Sequence, residues 1–430
     1  MRIYKSSEME LINKRLSRTS SAEERINESV RQIVRDVSEN GDSALFRYTK
    51  MYDGFDLGEG NIRVTKEEIA RAYDNVPKEL IEVLKKSAAN IAAFHEMQKP
   101  ESFKREIGGA VTGSVMLPMK RAGVYVPGGK AAYPSSVLMN IIPAKIAGVD
   151  DIIMVTPPGK TGRIEPLTLV AADIAGADII LRIGGAQAIA ALAYGTQSVP
   201  RADVITGPGN AYVTAAKKEV FGVVGIDMLA GPSEVLIVAD EKANVRYVAA
   251  DFLSQAEHDE MAAGILVTTS RALAESAAVE IGRQLSLLPR KEIAAKSVED
   301  YGTIIVAGSL EEAFDIANEI APEHLEILTD DPWRDLKKVR NAGSVFLGEY
   351  SPEPLGDYFA GPNHVIPTAG TARFSSPLSV EHFMKRTNYV CYDRQSLAAC
   401  YNDIKSFAAA EGLDAHARSA AIRFDDEVDI

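Results

Sequence analysis

The chain has 430 residues, 46% of them hydrophobic, a formal net charge of −13 from 60 acidic and 47 basic residues, and two cysteines. A single hydrophobic core stops growing near ~250–300 residues, so at least two domains are expected. The acidic balance argues against a nucleic-acid or anionic-membrane partner; two cysteines give neither a disulfide framework nor a CxxC metal cluster and suit the reducing cytoplasm.

Met1 to Thr19 is charged and weakly periodic, an arm or a small helix, and Met1 to Ser21 has no apolar signal-peptide core. The apolar stretch 136–148 is interrupted by Pro143 and Lys145, short of the ~18 apolar residues of a membrane span. Ser21-Ala-Glu-Glu24 is a capping-box pattern ahead of Ile26, Val30, Ile33 and Val37, which share one helical face, and Gly41 closes that helix. A second helix is expected over about 42–51. A third begins at the capping box Thr65-Lys-Glu-Glu68, and a fourth runs from Pro77 to about Met97, with His95 a structural residue at its end.

From residue 123 onward, strand and helix alternate. Strands are expected at 123–126, 151–156, 179–183, 204–206, 235–239, 264–268, 303–306, after His324, and at 343–347, with helices between them. Two successive blocks of βα units imply parallel sheets covered on both faces, hence two doubly wound α/β domains. The last ~50 residues read as more helical and polar.

Two glycine turns and four polar clusters could carry chemistry. Gly184-Gly185 and Gly207-Pro-Gly209 each sit between a strand and a helix, where bare backbone N–H groups can receive phosphate. Neither matches GxGxxG, since Tyr212 holds the third position after Gly209, so tight turns and nucleotide binding both stay open. Glu323-His324 precedes an apolar run and pairs a carboxylate with a group that titrates near ~6.5. Gln255 and His258 share a helix face. Asp357 to His364 forms a glycine-containing loop, and Glu411 to His416 opens the last helix. His258, His324, His364 and His416 thus lie near carboxylates, as either a zinc or an acid–base constellation. Cys391 and Cys400 stand away from the glycine turns and read as packing residues, which leaves activated water as the better nucleophile.

With these segments in order, the chain closely resembles the histidinol dehydrogenase family. The matching stretches are Tyr125-Val-Pro-Gly-Gly129, Gly184 to Ala190, Gly207 to Asn210, Ala230 to Glu234, Ser254 to His258, Pro322 to Leu325, Gly343 to Gly348, Gly356-Asp357, Asn363-His364 and Glu411 to His416. The resemblance implies oxidation of L-histidinol to L-histidine through histidinal, in two NAD-dependent hydride transfers. It implies one zinc per subunit on Gln255, His258, Asp357 and His416, and an acid–base pair Glu323 and His324. Ser233, His364 and Glu411 would join the metal ligands around the substrate, and Tyr125, Gln187 and Asn210 would line the NAD site. Its architecture is an intertwined homodimer of two incomplete Rossmann-like, aldehyde-dehydrogenase-like domains. Residues 22–124 with 234–376 would form the first domain and 125–233 the second, NAD-binding one. Residues 1–21 would be an N-terminal arm and 377–430 a dimerisation segment bringing Glu411 and His416 to the partner. His382 would be structural. The rivals are a relative oxidising another alcohol, a zinc hydrolase with Glu323 as base, and a nucleotide-binding protein without catalysis.

Overall fold

Short runs of branched apolar residues, ended by glycine, proline or polar residues, become the strands of two parallel sheets. The computed structural model describes residues 1–17, 23–128 and 133–424. One sheet has five strands in the order Ile179–Leu181, Asp151–Val155, Arg121–Tyr125, Val204–Thr206, Gly225–Ile226. The other has six, in the order Arg2–Lys5, Thr303–Val306, Ala263–Thr268, Glu234–Ala239, His324–Leu328, Ser344–Leu347. Counted from Arg121–Tyr125 in one and Glu234–Ala239 in the other, both follow the order 3-2-1-4-5, and Arg2–Lys5 adds an edge strand to the larger sheet.

Each sheet is buried on both faces. In Glu234–Ala239, Val235 and Ile237 face one core with Phe252 and Ile281, while Leu236 and Val238 face another with Phe314 and Ile12. The helix Glu23–Asn40 packs on Gly185–Tyr194 and Ala211–Val220, and Pro134–Ala147 packs on Pro166–Ala175. These sheets belong to a compact unit of Met1–Gln98 and Met119–Phe383.

A second unit comprises Lys99–Pro118 and Met384–Ile430. Its antiparallel sheet runs Met384–Tyr392, Ala110–Pro118, Phe103–Ile107, followed by the helices Arg394–Ala410 and Asp414–Ala421.

The doubly wound α/β architecture is the expected one, and several boundaries shift. Arg121–Tyr125 belongs whole to the five-stranded sheet, so a boundary after residue 124 would cut a strand. Lys99–Pro118 groups with the C-terminal segment, because Ala110–Pro118 pairs with Met384–Tyr392 along its whole length. Part of the expected N-terminal arm is an edge strand: Arg2–Lys5 pairs with Thr303–Val306, and the helix Met9–Leu16 buries Ile12. Of the two cysteines expected to pack, Cys391 is instead exposed on its strand, whereas Cys400 is half-buried. Ser21 and Gly129 lie outside the described residues.

Candidate active site

In a doubly wound sheet, ligands bind outside the carboxyl ends of the strands, where the strand order reverses. In the five-stranded sheet that point lies between Arg121–Tyr125 and Val204–Thr206. The chain leaves these strands through Tyr125 to Pro127 and through the Gly207 turn. At Gly207, φ is +113°, and a Cβ there would stand 2.0 Å from the Tyr125 carbonyl oxygen. Only glycine allows the two turns to close on each other this way. The turn is held from beneath by a buried ion pair of Lys217 and Asp227: Lys217 Nζ donates to the Gly207 carbonyl at 3.0 Å, and the Gly207 amide donates to Asp227 at 2.8 Å. Asn210 caps the next helix, its Oδ1 accepting from Tyr212 and Val213 at 3.1 and 3.2 Å. The Gly185 amide donates to the buried Tyr125 hydroxyl at 3.2 Å, and Gln187 is buried in the first turn of that helix.

The six-stranded sheet contributes its amino edge. Ala321 ends the helix Leu310–Ile320 in the left-handed region at φ +53°, a conformation costly for a non-glycine residue, and turns the chain into Pro322-Glu323-His324. Strand pairing then sets Glu323 and His324 beside the start of Glu234–Ala239. The Glu234 amide donates to Glu323 Oε2 at 2.8 Å, and His324 Nδ1 donates to the Glu234 carbonyl at 3.0 Å. A carbonyl can only accept, so the proton of neutral His324 sits on Nδ1 and Nε2 keeps its lone pair. Nε2 lies 3.6 Å from Glu353 Oε1.

Burial dominates the electrostatics. It pushes the His324 imidazole down to about 4 against the pull of Asp357, and raises the Glu323 carboxyl well above its ordinary range. Burial, with the Asp357 charge beside it, takes Glu353 up to about 8. Burial opposes ionisation at Asp357 too, but the hydrogen bond and charge of His364 outweigh it and bring the group to about 2. His364 Nδ1 lies 3.5 Å from Asp357 Oδ1 and 3.1 Å from its carbonyl oxygen, and Ser136 Oγ is 3.4 Å from His364 Nε2.

One cavity of about 1120 Å³ joins the two edges. Ser233, Gln255, His258, Glu323, His324, Asp357 and His364 line it, together with Tyr125, Gln187 and Asn210. Asp357 is on a short helix, Glu353–Tyr358, rather than in the expected loop. Glu411 and His416 belong to the second unit, where both are exposed, Glu411 capping one helix and His416 lying within the next. His95 is buried, with Nδ1 2.8 Å from the Ile91 carbonyl, and His382 Nδ1 accepts from the Ser379 amide at 3.1 Å, the structural parts expected of both.

Gln255 is fully buried at the end of the helix Val245–Ala256, and neither of its amide atoms has a hydrogen-bond partner among the described residues. His324, Glu353 and Asp357 offer ligand atoms within 4.8 Å of one another. Two acids were not anticipated as parts of the site. Glu353 stands four residues before Asp357, on the same helical face, a spacing visible in the chain. Glu234 holds both Glu323 and His324 through its backbone, which no side-chain pattern signals.

Fold and site together define a doubly wound α/β protein, with the buried Glu323 and His324 at the amino edge of one sheet and a switch-point crevice at the carboxyl edge of the other. The family model for histidinol dehydrogenase matches residues 16–424. Curated relatives named histidinol dehydrogenase include those of Bacillus cereus, 54% identical over 94% of each chain, and Halalkalibacterium halodurans, 54% identical over 93% of this chain and 94% of the relative. The crystal structure of histidinol dehydrogenase from Elizabethkingia anophelis superposes with a TM-score of 0.92 at 37% identity, over 98% of each chain. The chain belongs to the histidinol dehydrogenase family.

Proposed function

We propose that this chain oxidises L-histidinol to L-histidine through histidinal, in two successive NAD-dependent hydride transfers that end histidine biosynthesis, as a cytoplasmic homodimer. The observation that carries the chemistry is the neutral, oriented His324 beside Glu323. Both are buried at the wall of a cavity whose other end is a switch-point crevice.

The residues present fit both cofactors. The orphaned carboxamide of Gln255 and the ionised Asp357 suit a cation, and His258 lines the same cavity. Gln255, His258 and Asp357 would hold zinc with the partner subunit's His416. The close approach of Gly207 to Tyr125 and the bare turn at Gly184-Gly185 suit a dinucleotide, with Tyr125, Gln187 and Asn210 along it. Bound zinc supplies a template for the amine and imidazole of the substrate, and bound NAD supplies the hydride acceptor.

His324 takes the hydroxyl proton on Nε2 as the carbinol C–H bond breaks. Glu323 then takes a proton from the water that adds to the aldehyde while His324 returns its proton to the former carbonyl oxygen, giving the hydrate, and the freed Nε2 accepts a proton again in the second oxidation. The raised pKa of Glu323 makes it a stronger base once ionised. Ser233 and His364, with Glu411 from the partner subunit, hold the substrate, and burial keeps the aldehyde from other nucleophiles.

The proximity of His324 to Glu353 and Asp357 favours a second reading, in which His324 is itself a zinc ligand. His324→Asn separates the two. Turnover should fall ~10²–10⁴-fold while zinc, measured by atomic absorption, stays at about one per subunit. Zinc lost together with activity would make His324 a ligand.

A further inference from the structure

Asp53 is an acid in the wrong place for stability. It is the last residue of the helix Asp42–Asp53, where the carbonyl ends of the helix dipole repel a negative charge. Its Oδ2 is buried without a hydrogen-bond partner among the described residues. The next residue, Gly54, turns the chain away in the left-handed region at φ +70°, leaving the Asp53 side chain in the wall of the cavity. A half-buried carboxylate at a helix C-terminus, with one oxygen buried and unpartnered, costs stability.

What it faces is specific. Asp53 lines the same cavity as Tyr125, whose hydroxyl accepts from the Gly185 amide; burial raises that hydroxyl to about 12, and the Asp53 charge adds to the rise. In a doubly wound nucleotide domain, an acid about 20 residues after the first glycine turn, near the end of the second strand, takes the ribose hydroxyls. Here the second strand, Asp151–Val155, runs into Thr156-Pro157-Pro158-Gly159-Lys160, which holds no acid. The end of the Asp53 helix lies against this loop: a Cβ on Gly54 would be 3.8 Å from the Lys160 side chain, and one on Gly162 would meet the Phe55 ring. Thr156 to Lys160 and Asp53 line the same cavity.

We infer that Asp53 stands in for the missing acid, accepting hydrogen bonds from the vicinal ribose hydroxyls of the dinucleotide and so selecting a free 2′-hydroxyl over a 2′-phosphate. This rests on the NAD reading above. A 2′-phosphate would bring further negative charge against a carboxylate whose Oδ2 has no paired cation among the described residues, whereas a diol supplies the donors that this oxygen lacks there.

The test is calorimetric titration of the zinc-loaded protein with NAD, NADP and the 2′-deoxyadenosine analogue of NAD, without substrate. The unaltered chain should bind NAD about 10- to 100-fold more tightly than the deoxy analogue. Asp53→Asn should weaken NAD binding by a similar factor, leave the deoxy analogue little changed, and narrow the preference for NAD over NADP. Equal affinity of the unaltered chain for NAD and the deoxy analogue overturns the assignment without any variant. So does an Asp53→Asn variant, folded by circular dichroism, that loses affinity for all three nucleotides alike. NAD failing to bind the unaltered chain at all would instead remove the dinucleotide reading on which the assignment rests.

Discussion

The imidazole of His324 takes its state from residues far away in the chain. Glu234, 90 positions earlier, fixes its tautomer through a main-chain carbonyl, and burial rather than a carboxylate partner keeps it neutral. That Glu323 and His324 stand side by side was legible in the chain, but not which nitrogen would be free. Asp53 shows a similar dependence, and its charge has a testable effect on stability. Burial raises its carboxyl to about 6 from an ordinary value of 3.8. The folded state therefore holds this proton more tightly than the unfolded one. Stability from that difference is complete below about pH 3.8 and is lost as pH rises through about 6. Thermal melts of the unaltered chain and of Asp53→Asn without nucleotide should show the unaltered chain losing ground between about pH 4 and 6, then a constant gap. A gap independent of pH would mean that Asp53 is not held this way.

At the scale of elements, the buried parallel strands were legible because each is a short apolar run closed by glycine, proline or polar residues. The helices of the second unit, Arg394–Ala410 and Asp414–Ala421, lie where a helical tail was expected, but its sheet was not legible. Phe103–Ile107 reads Phe-Lys-Arg-Glu-Ile and is exposed on both faces, and Met384–Tyr392 is exposed along most of its length, so neither carries an alternating pattern. The pairing of Met384–Tyr392 with Ala110–Pro118 joins segments 266 to 282 residues apart. The switch point was hidden for the same reason: strand order is a property of the sheet, whereas the glycine turns that flank it could be read directly. Gly207 is the element most sensitive to change. A Cβ there meets the Tyr125 carbonyl, and the φ of +113° is strained for any other residue. Gly207→Ala should cost roughly 1–3 kcal/mol or more in urea unfolding and weaken NAD more than histidinol. A neutral substitution would show that the two turns are not locked together.

At the scale of the molecule, the first unit carries every proposed site residue except Glu411 and His416. Those two sit on the second unit, which also exposes Phe103, Val390 and Phe407. We propose that this unit serves a partner subunit. Mixing inactive His324→Asn and His416→Asn variants should then restore part of the activity after subunit exchange, since one of the two mixed sites is intact. No recovery despite exchange shown by mass-tagged subunits would mean that each site is built from one chain. Among the described residues no helix is long and apolar enough to cross a membrane. The central claim is that one cavity performs two oxidations on one substrate, and the number of NADH formed per L-histidinol consumed tests it most directly. About two is predicted, with L-histidine as the product; a value of one would reduce the site to a simple alcohol dehydrogenase, and none would contradict the account.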